Sequence, residues 1–547
     1  MSRIITTLIL FLGLTLSFQH LFGQGQLAVG STFEDYLRRE QLLDKYDTIS
    51  TFMLRPIDLN VPDTSLFKSI ALGNYGKLTL LPISFQSKYA DKHPYGWNDG
   101  SMLPLRGYQQ LISAGIGAKF GPLNIQIAPE YHYAQNLYFE GFPLSAGNIL
   151  WTRYFARHLN YIDKPETFGN ERIEAFYLGQ SSIKLDFGPL SIGWSNQNLW
   201  WGPGKRNSLV MSNNPRGFQH LTFNTRRPIK TPVGHFEFQV LSGRLEESGV
   251  DPPNAFFNVN GSYVFNERNP DWRYLSGFTF NYSPKWVPGL SVGTSRVVQQ
   301  YYETAKENSD YLAAFSNLFR SNDAFNDIVR DQLGSFFIRY FSTQINSEFY
   351  FEFARNDAAF DFRDLFLEPN HSAGYLFGVT KLFPFKQRKK QFIEANFEWT
   401  ILRQSSSRII RNAFPNFYGH SRIRHGYTHR GEVLGAGIGP SSNSQTLEVK
   451  WVNNYNKIGL RLERYTHNED LYIDLFQDIQ DWLRPWVDFN TAVTAAWQFD
   501  QLILEAEVSY IKSLNYQYQI YRFTPTYFPS YVDLNNFTVG LNLHFMF

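Results

Sequence analysis

Cysteine is absent from this chain. That removes disulfides, thiolate metal sites and a lipid-modified amino-terminal cysteine, and leaves closure and burial to stabilise an exported protein. Charge of one sign is missing as well: 51 Lys and Arg balance 49 Asp and Glu, for a formal net charge of +2. With no long basic run either, a strongly basic nucleic-acid binder is excluded. Beyond the amino terminus no stretch is long and apolar enough for a membrane helix.

Aromatic side chains are what the chain has in excess. Its 50 Phe, 32 Tyr and 12 Trp make 17% of the residues. A hydrophobic fraction of 43% and a mean hydropathy of −0.33 look like those of a water-soluble protein. A membrane β-barrel has similar averages, because only half of each strand faces lipid, and its two interfacial girdles absorb many aromatics. At 547 residues the chain is longer than most soluble domains and ordinary for a large barrel with long loops.

The carboxyl end is the most telling segment. Phe537, Val539, Leu541, Leu543, Phe545 and Phe547 alternate with Thr538, Gly540, Asn542, His544 and Met546. A period of two puts these sets on opposite faces of a strand, one greasy and one mixed. Such a strand, aromatic last, resembles the closing strand of a bacterial outer-membrane barrel, the segment read by the barrel-assembly machinery. At the other end, residues 1–23 read as a signal peptide: Arg3 is the positive start, Ile4 to Phe18 the apolar core, and Gly23 the small residue before Gln24. Export without an anchor, followed by a barrel-type terminus, places the chain in the outer membrane of a Gram-negative cell, among lipid and lipopolysaccharide.

From about residue 76 to 547, strand-like runs alternate with two kinds of connection. Tight turns such as Phe120-Gly121-Pro122 and Asn453-Asn454-Tyr455-Asn456 take turns with long segments such as 135–172, 247–272 and 404–442. Short periplasmic turns and long extracellular loops produce this asymmetry. Eighteen runs are countable, an even number that leaves both termini periplasmic. Within them Ile458, Leu460 and Leu462 oppose Arg461 and Glu463, and Leu504, Ala506 and Val508 oppose Glu505 and Glu507. Carboxylates and guanidiniums need water or partners, so that face points into the lumen. A secreted sandwich or propeller would explain the alternation but neither the terminal Phe nor the unequal connections.

Residues 24–75 differ, forming a periplasmic helical and irregular segment. Ser31 and Glu34 have capping-box spacing, and Phe33, Leu37, Leu42 and Leu43 recur at helical intervals, predicting a helix over 31–46. A lumen this wide is not filled by strand side chains alone, so this helix and inward-folded loops are candidates to cap it. Two further helices are predicted in extracellular loops, over Tyr311–Val329 and Glu469–Leu483.

The loops also carry a resemblance. Pro94-Tyr95-Gly96-Trp97-Asn98-Asp99-Gly100, Trp200-Trp201-Gly202-Pro203-Gly204 followed by Ser212-Asn213-Asn214, and Gly426-Tyr427-Thr428-His429-Arg430-Gly431 followed by Leu434-Gly435 look like the Wzi family of capsule-assembly outer-membrane proteins. The resemblance implies an eighteen-stranded barrel with a helical part at its periplasmic end. It also implies a lectin-like role in holding capsular polysaccharide at the cell surface.

Sugars are bound by aromatic rings stacking on their C–H faces while Asn, Asp and Arg bond the hydroxyls, and Arg matches the carboxylate of an acidic sugar. Three loops carry that mixture: Trp97, Asn98 and Asp99; Trp201, Arg206, Asn213, Asn214 and Arg216; and Tyr427, His429 and Arg430. These are the candidate polysaccharide contacts, weighed against ordinary girdle and loop packing. His420, His425 and His429 have no carboxylate between them and do not read as a metal site. No nucleophile elbow or zinc-protease spacing occurs, so the chain is read as a binding protein, not an enzyme, with no cofactor. A porin-like conduit is the alternative, and a surface hydrolase comes third.

Overall fold

The period-two runs pair with one another in chain order. In a computed structural model of the protein, the structure describes residues 26, 28–44, 50–57, 68–73, 76–316, 329–356, 362–404, 416–476, 483–522 and 530–547. The expected signal peptide lies outside these residues, as do 317–328 and 477–482 from the two expected loop helices. What is described of those helices is Ala313–Ser316 and Glu469–Phe476.

The first four strands are each interrupted once: β1 (Gly76–Leu80 and Ile83–Ala90), β2 (Gly107–Ser113 and Ile116–Phe120), β3 (Leu123–Ile127 and Glu130–Ala134) and β4 (Ile173–Tyr177 and Ser182–Phe187). There follow β5 (Leu190–Ser195), β6 (His220–Thr225), β7 (Gly234–Leu245), β8 (Arg273–Pro284) and β9 (Leu290–Tyr301). Next come β10 (Asp331–Ser342), β11 (Ser347–Asn356), β12 (Ala373–Phe385), β13 (Arg388–Ile401) and β14 (Asn443–Asn453). The last are β15 (Asn456–Thr466), β16 (Val487–Phe499), β17 (Leu502–Leu514) and β18 (Leu534–Phe545). All pair antiparallel with their chain neighbours. β18 pairs with β17 on one side and, on the other, with the Ile83–Ala90 half of β1. The ladder therefore returns to its start. Where β18 has ended, a short strand, Ser69–Leu72, pairs with the Gly76–Leu80 half of β1.

The four interruptions lie side by side and have a local cause. Pro82 and Pro129 have no N–H to give a ladder. Gly115 and Gly179 sit so close to Ala128 that neither has room for a side chain, and Gly179 adopts φ +56°. The result is a crease across one quarter of the wall.

Outside the ring, Phe537, Val539, Leu541 and Phe545 on β18, Ile458, Leu460 and Leu462 on β15, and Val493, Trp497 and Phe499 on β16 are all exposed. An apolar outer face of this kind suits hydrocarbon. Inside, Arg461 pairs with Glu507, and Lys450 with Glu448 at 2.9 Å. The alternation read from the sequence thus assigns its faces correctly.

A helix and several loops occupy the lumen. Helix α1 (Thr32–Leu42) begins where Ser31 Oγ accepts the Glu34 N–H at 3.4 Å, and Glu34 Oε2 accepts the Gly30 N–H at 3.0 Å. This variant of the capping box satisfies one of the orphan donors at the helix start and ties down the residue before the cap. Its polar side chains bind the wall: Arg38 Nε lies 3.0 Å from Glu348 on β11, Arg39 lies 3.8 Å from Glu394 on β13, and Lys457 on β15 lies 3.6 Å from Asp35. The helix therefore runs inside the ring of strands. After it, Leu54–Arg55 pairs antiparallel with Trp200–Trp201 from the loop following β5. Arg55 donates to Glu34 at 2.7 Å and to the carbonyl of Gly204 at 2.8 Å, locking helix and loop together.

Candidate functional site

At the end of the ring that carries the long connections, the loops fold inward and pack on one another. The loop after β5 hangs from two wall carboxylates. Backbone N–H groups of Lys205, Arg206 and Asn207 donate to Glu398 on β13 at 2.8, 3.0 and 2.7 Å. Glu352 on β11 accepts the Leu209 N–H at 3.1 Å. Each buried carboxylate has several acceptor sites, and three successive amides form a cradle for one.

Trp97 organises the centre. Its Nε1 donates to the Arg206 carbonyl at 3.1 Å, and the Arg206 guanidinium lies over its ring, 4.3 Å from the centroid. Arg206 in turn reaches Glu463 on β15 at 3.1 Å. Asn98, at φ 64°, donates from its side chain to the same Arg206 carbonyl at 2.7 Å, while its backbone N–H donates to Asn214 at 3.2 Å. Asn213 donates to the Asn98 carbonyl at 3.2 Å, and Asp99 pairs with Lys88 of β1. Six of the sequence candidates therefore meet: Trp97, Asn98, Asp99, Arg206, Asn213 and Asn214.

The other five divide differently. Trp201 is 0% exposed, its Nε1 donating to Gln239 of β7 at 2.8 Å. It is a core residue with no surface to offer a sugar, although the sequence suggested a loop contact. A Trp beside a Gly-Pro-Gly turn looks the same in sequence whether it points out or in. Tyr427 is likewise buried, stacked on Tyr418 at 6.2 Å. His429 is buried against Phe218, its Nδ1 accepting the Glu246 N–H at 3.2 Å. Burial, then the nearby Arg216, Arg273 and Arg430, hold its imidazole well below the usual range, and so neutral. Arg430, 39% exposed, pairs with Glu246, and the Arg216 guanidinium covers Tyr177 at 4.4 Å. These last residues form a separate group on the Tyr177 and Glu246 side.

Two cavities flank Trp97. The larger, about 550 Å³, runs along β1–β4 and β14–β18 beside α1 and is lined by wall ion-pair residues such as Lys457, Arg461, Glu505 and Glu507. The smaller, about 210 Å³, lies among the long loops. Tyr95, Gly96 and Trp97 border both.

The smaller cavity has an aromatic wall that the sequence did not single out. Trp97 packs on Tyr465 at 5.5 Å, Tyr465 on His467 at 4.0 Å, and His467 stacks on Trp486 at 3.4 Å and 7°. Trp486 then meets Tyr516 at 5.2 Å and Tyr518 at 5.9 Å. Asp488 fixes the arrangement, lying 2.7 Å from His467 Nε2 and accepting Trp486 Nε1 at 3.0 Å. These rings come from three separate connections and, for Tyr465, from the end of β15, so no local motif marks them. The one usable signal was the density of Tyr in 514–532.

Polar groups close the rest of this cavity: Lys164, Glu166, Asn214 and Glu432. Burial raises the Glu166 carboxyl, which accepts from Tyr154 Oη at 2.7 Å and the Phe142 N–H at 2.8 Å. Burial first, then Asp99, raises Glu432 well above the usual carboxylate range. Aromatic faces beside a few placed polar groups make a site suited to one sugar ring. Among the described residues no group of His, Cys, Asp and Glu is placed to hold a metal.

Known proteins sharpen the picture. The fold is similar to that of Wzi from Escherichia coli, described as an outer membrane protein involved in group 1 capsule assembly and as a carbohydrate-binding β-barrel. The two are 14% identical over 85% of each chain, with a TM-score of 0.54. OprB of Pseudomonas putida, 11% identical over 86% of this chain and 94% of its own, has a TM-score of 0.36, too low to carry an argument. No curated protein sequence matches. The family model for capsule assembly protein Wzi matches residues 107–518, well over half of the sequence, and the chain belongs to that family.

Proposed function

We propose that this protein sits in the outer membrane with its long loops outside the cell and holds surface polysaccharide there without covalent chemistry. The observation that carries this reading is the smaller loop cavity, where Trp97, Tyr465, His467, Trp486, Tyr516 and Tyr518 present a continuous aromatic wall beside Asn214 and Lys164. Stacking of sugar C–H faces on that wall supplies affinity, and the polar groups supply orientation. Trp97, Asn98, Asp99, Arg206, Asn213 and Asn214 build the floor. Trp201, Tyr427 and His429 support it from below, and Arg216 and Arg430 offer a flanking contact to a longer chain. Weak contacts repeated along a polymer add up to retention. Lipid and lipopolysaccharide surround the apolar outer face, and the terminal strand ending in Phe547 is the segment offered to the assembly machinery.

Glycan-array binding of the detergent-purified barrel tests this reading. Wild type is expected to bind capsular oligosaccharides, and Trp97→Ala to lose them while the barrel still shifts on heating in gels. Absence of binding by wild type sinks the reading. The cavity of about 550 Å³ along the wall favours a second one, a narrow conduit. Steady conductance in planar bilayers would support it, and electrical silence would remove it.

A further inference from the structure

Lys164 stands out in the smaller cavity because the chain on either side of it is firmly anchored. It lies in the connection between β3 and β4, between two anchored acidic residues. Asp163 is fully buried, accepting the Ser248 N–H and hydroxyl at 2.6 Å each and lying 3.4 Å from Arg268. Its own N–H donates to the His425 carbonyl at 2.8 Å. Glu166 is held by Tyr154 and Phe142, as described above. Pro165 stiffens the step between them.

The backbone on both sides of Lys164 is thus fixed, and its side chain is exposed on the cavity it lines. The stem passes Gly439, where an added Cβ would lie 3.4 Å from Lys164 Cε. The surrounding loops desolvate the ammonium and lower its pKa, and Glu166 and Glu432 oppose that from a distance. Among the described residues no carboxylate lies within 4 Å of it. Burial raises both carboxyls.

A cation left over in a cavity walled by aromatic rings has a defined complement. The partner must present a flat apolar face to the rings and an anionic group about one ring away. A hexose bearing a carboxylate does both: its C–H face stacks, and its carboxylate meets the ammonium in a charge-assisted hydrogen bond. We propose that Lys164 is the anion contact of the loop cavity, selecting a sugar unit that carries a carboxylate over the same unit without one. This rests on the reading of the cavity as a saccharide site.

The test uses the full-length protein in detergent and one glucuronate-containing oligosaccharide in two forms, intact and with its carboxylates reduced to hydroxymethyl groups. Titration calorimetry on wild type is expected to show the intact form binding about tenfold tighter, the worth of one charge-assisted contact. Lys164→Gln should erase that preference, bringing the intact form down to the affinity of the reduced one. Lys164→Arg should restore most of it. Because Lys164 is exposed, both variants should keep the normal heat shift on gels. Lys164→Gln retaining the preference, or weakening both forms alike, overturns the proposal. Equal binding of both forms by wild type overturns it too, with the saccharide reading intact. If wild type binds neither form, the saccharide reading falls and takes this inference with it.

Discussion

Arg38 and Glu348 lie 310 residues apart in the chain and 3.0 Å apart in the lumen. The same carboxylate accepts from Arg339 at 2.8 Å. One buried acid on β11 therefore satisfies a guanidinium from the internal helix and another from the adjacent strand. Breaking such an arrangement is costly because it leaves buried charge unpaired, whatever the intact pairing is worth.

Removing the shared partner should accordingly hurt more than removing one of its clients. Glu348→Ala strands two guanidiniums and should cost about 3–5 kcal/mol. Arg38→Ala leaves Glu348 with Arg339 and should cost clearly less. Thermal unfolding in detergent, followed by the gel shift of the folded barrel, should rank the variants in that order. Equal unfolding temperatures would count against the shared-acceptor account.

Trp97 and Trp201 should behave differently when truncated. Trp201 fills a closed core, so Trp201→Ala should destabilise by about 3–5 kcal/mol and lose glycan binding only as the barrel itself weakens. Trp97 is buried in the same core but borders both cavities, so Trp97→Ala should lose binding at a smaller cost in heat resistance than Trp201→Ala. Parallel measurement of melting and glycan affinity separates them. Identical behaviour would show that the core and cavity roles have been assigned wrongly.

Gly437 offers a way to disturb the site without touching a binding group. A Cβ there would come 2.5 Å from the Trp97 Cβ and would also crowd the Asn214 side chain. No left-handed backbone conformation is involved, so the effect is purely one of space. Gly437→Ala should displace Trp97 and weaken glycan binding several-fold, about 1 kcal/mol or more, in the range of a local overpacking. Unchanged affinity would mean that the position of Trp97 does not matter.

Acid should loosen the loops before it affects the strands. His158 Nδ1 lies 3.1 Å from Asn416 Nδ2 and 3.3 Å from Asn468 Nδ2, and accepts from them as a neutral ring. Burial, with a smaller push from Lys164, lowers its pKa from the ordinary 6.5 to about 3. A histidine depressed in the packed state takes up its proton more readily once unpacked, so packing is favoured above pH 6.5 and loses that stability as the pH falls towards 3. Limited proteolysis of the 148–166 and 416–440 segments should therefore accelerate from pH 7 to pH 4 while the barrel persists. His158→Gln should weaken the response of the 148–166 segment, while His425 and His429, also lowered by burial, keep part of it in 416–440. Cleavage that ignores pH in wild type would contradict the argument.

The strands were legible because a period of two survives in any barrel wall: the set of Leu447, Ile458 and Phe537 faces outward, and that of Arg461, Glu463 and Glu507 faces inward. The start of α1 was legible from Ser31 and Glu34. The cavity was not. Its aromatic wall joins Trp97 to Trp486 through Tyr465 and His467, residues that meet only when separate connections fold inward. Whether a loop Trp lines a cavity, as Trp97 does, or fills a core, as Trp201 does, depends on partners such as Gln239 that no local pattern reveals. The cradle of Glu398 was hidden for the same reason, since a carboxylate alternating into a lumen gives no hint of which loop will reach it.

The order of synthesis follows from how the ring is fastened. The segment that becomes α1 leaves the ribosome before every strand that grips it, β11, β13 and β15, and the Ile83–Ala90 half of β1 has no lateral partner on one side until β18 arrives. Contacts so remote in sequence form slowly, so the early residues must travel as an unattached passenger through most of assembly. The wall has to curl around that passenger, and a chain cut short before β15 would have nothing complete to hold it with.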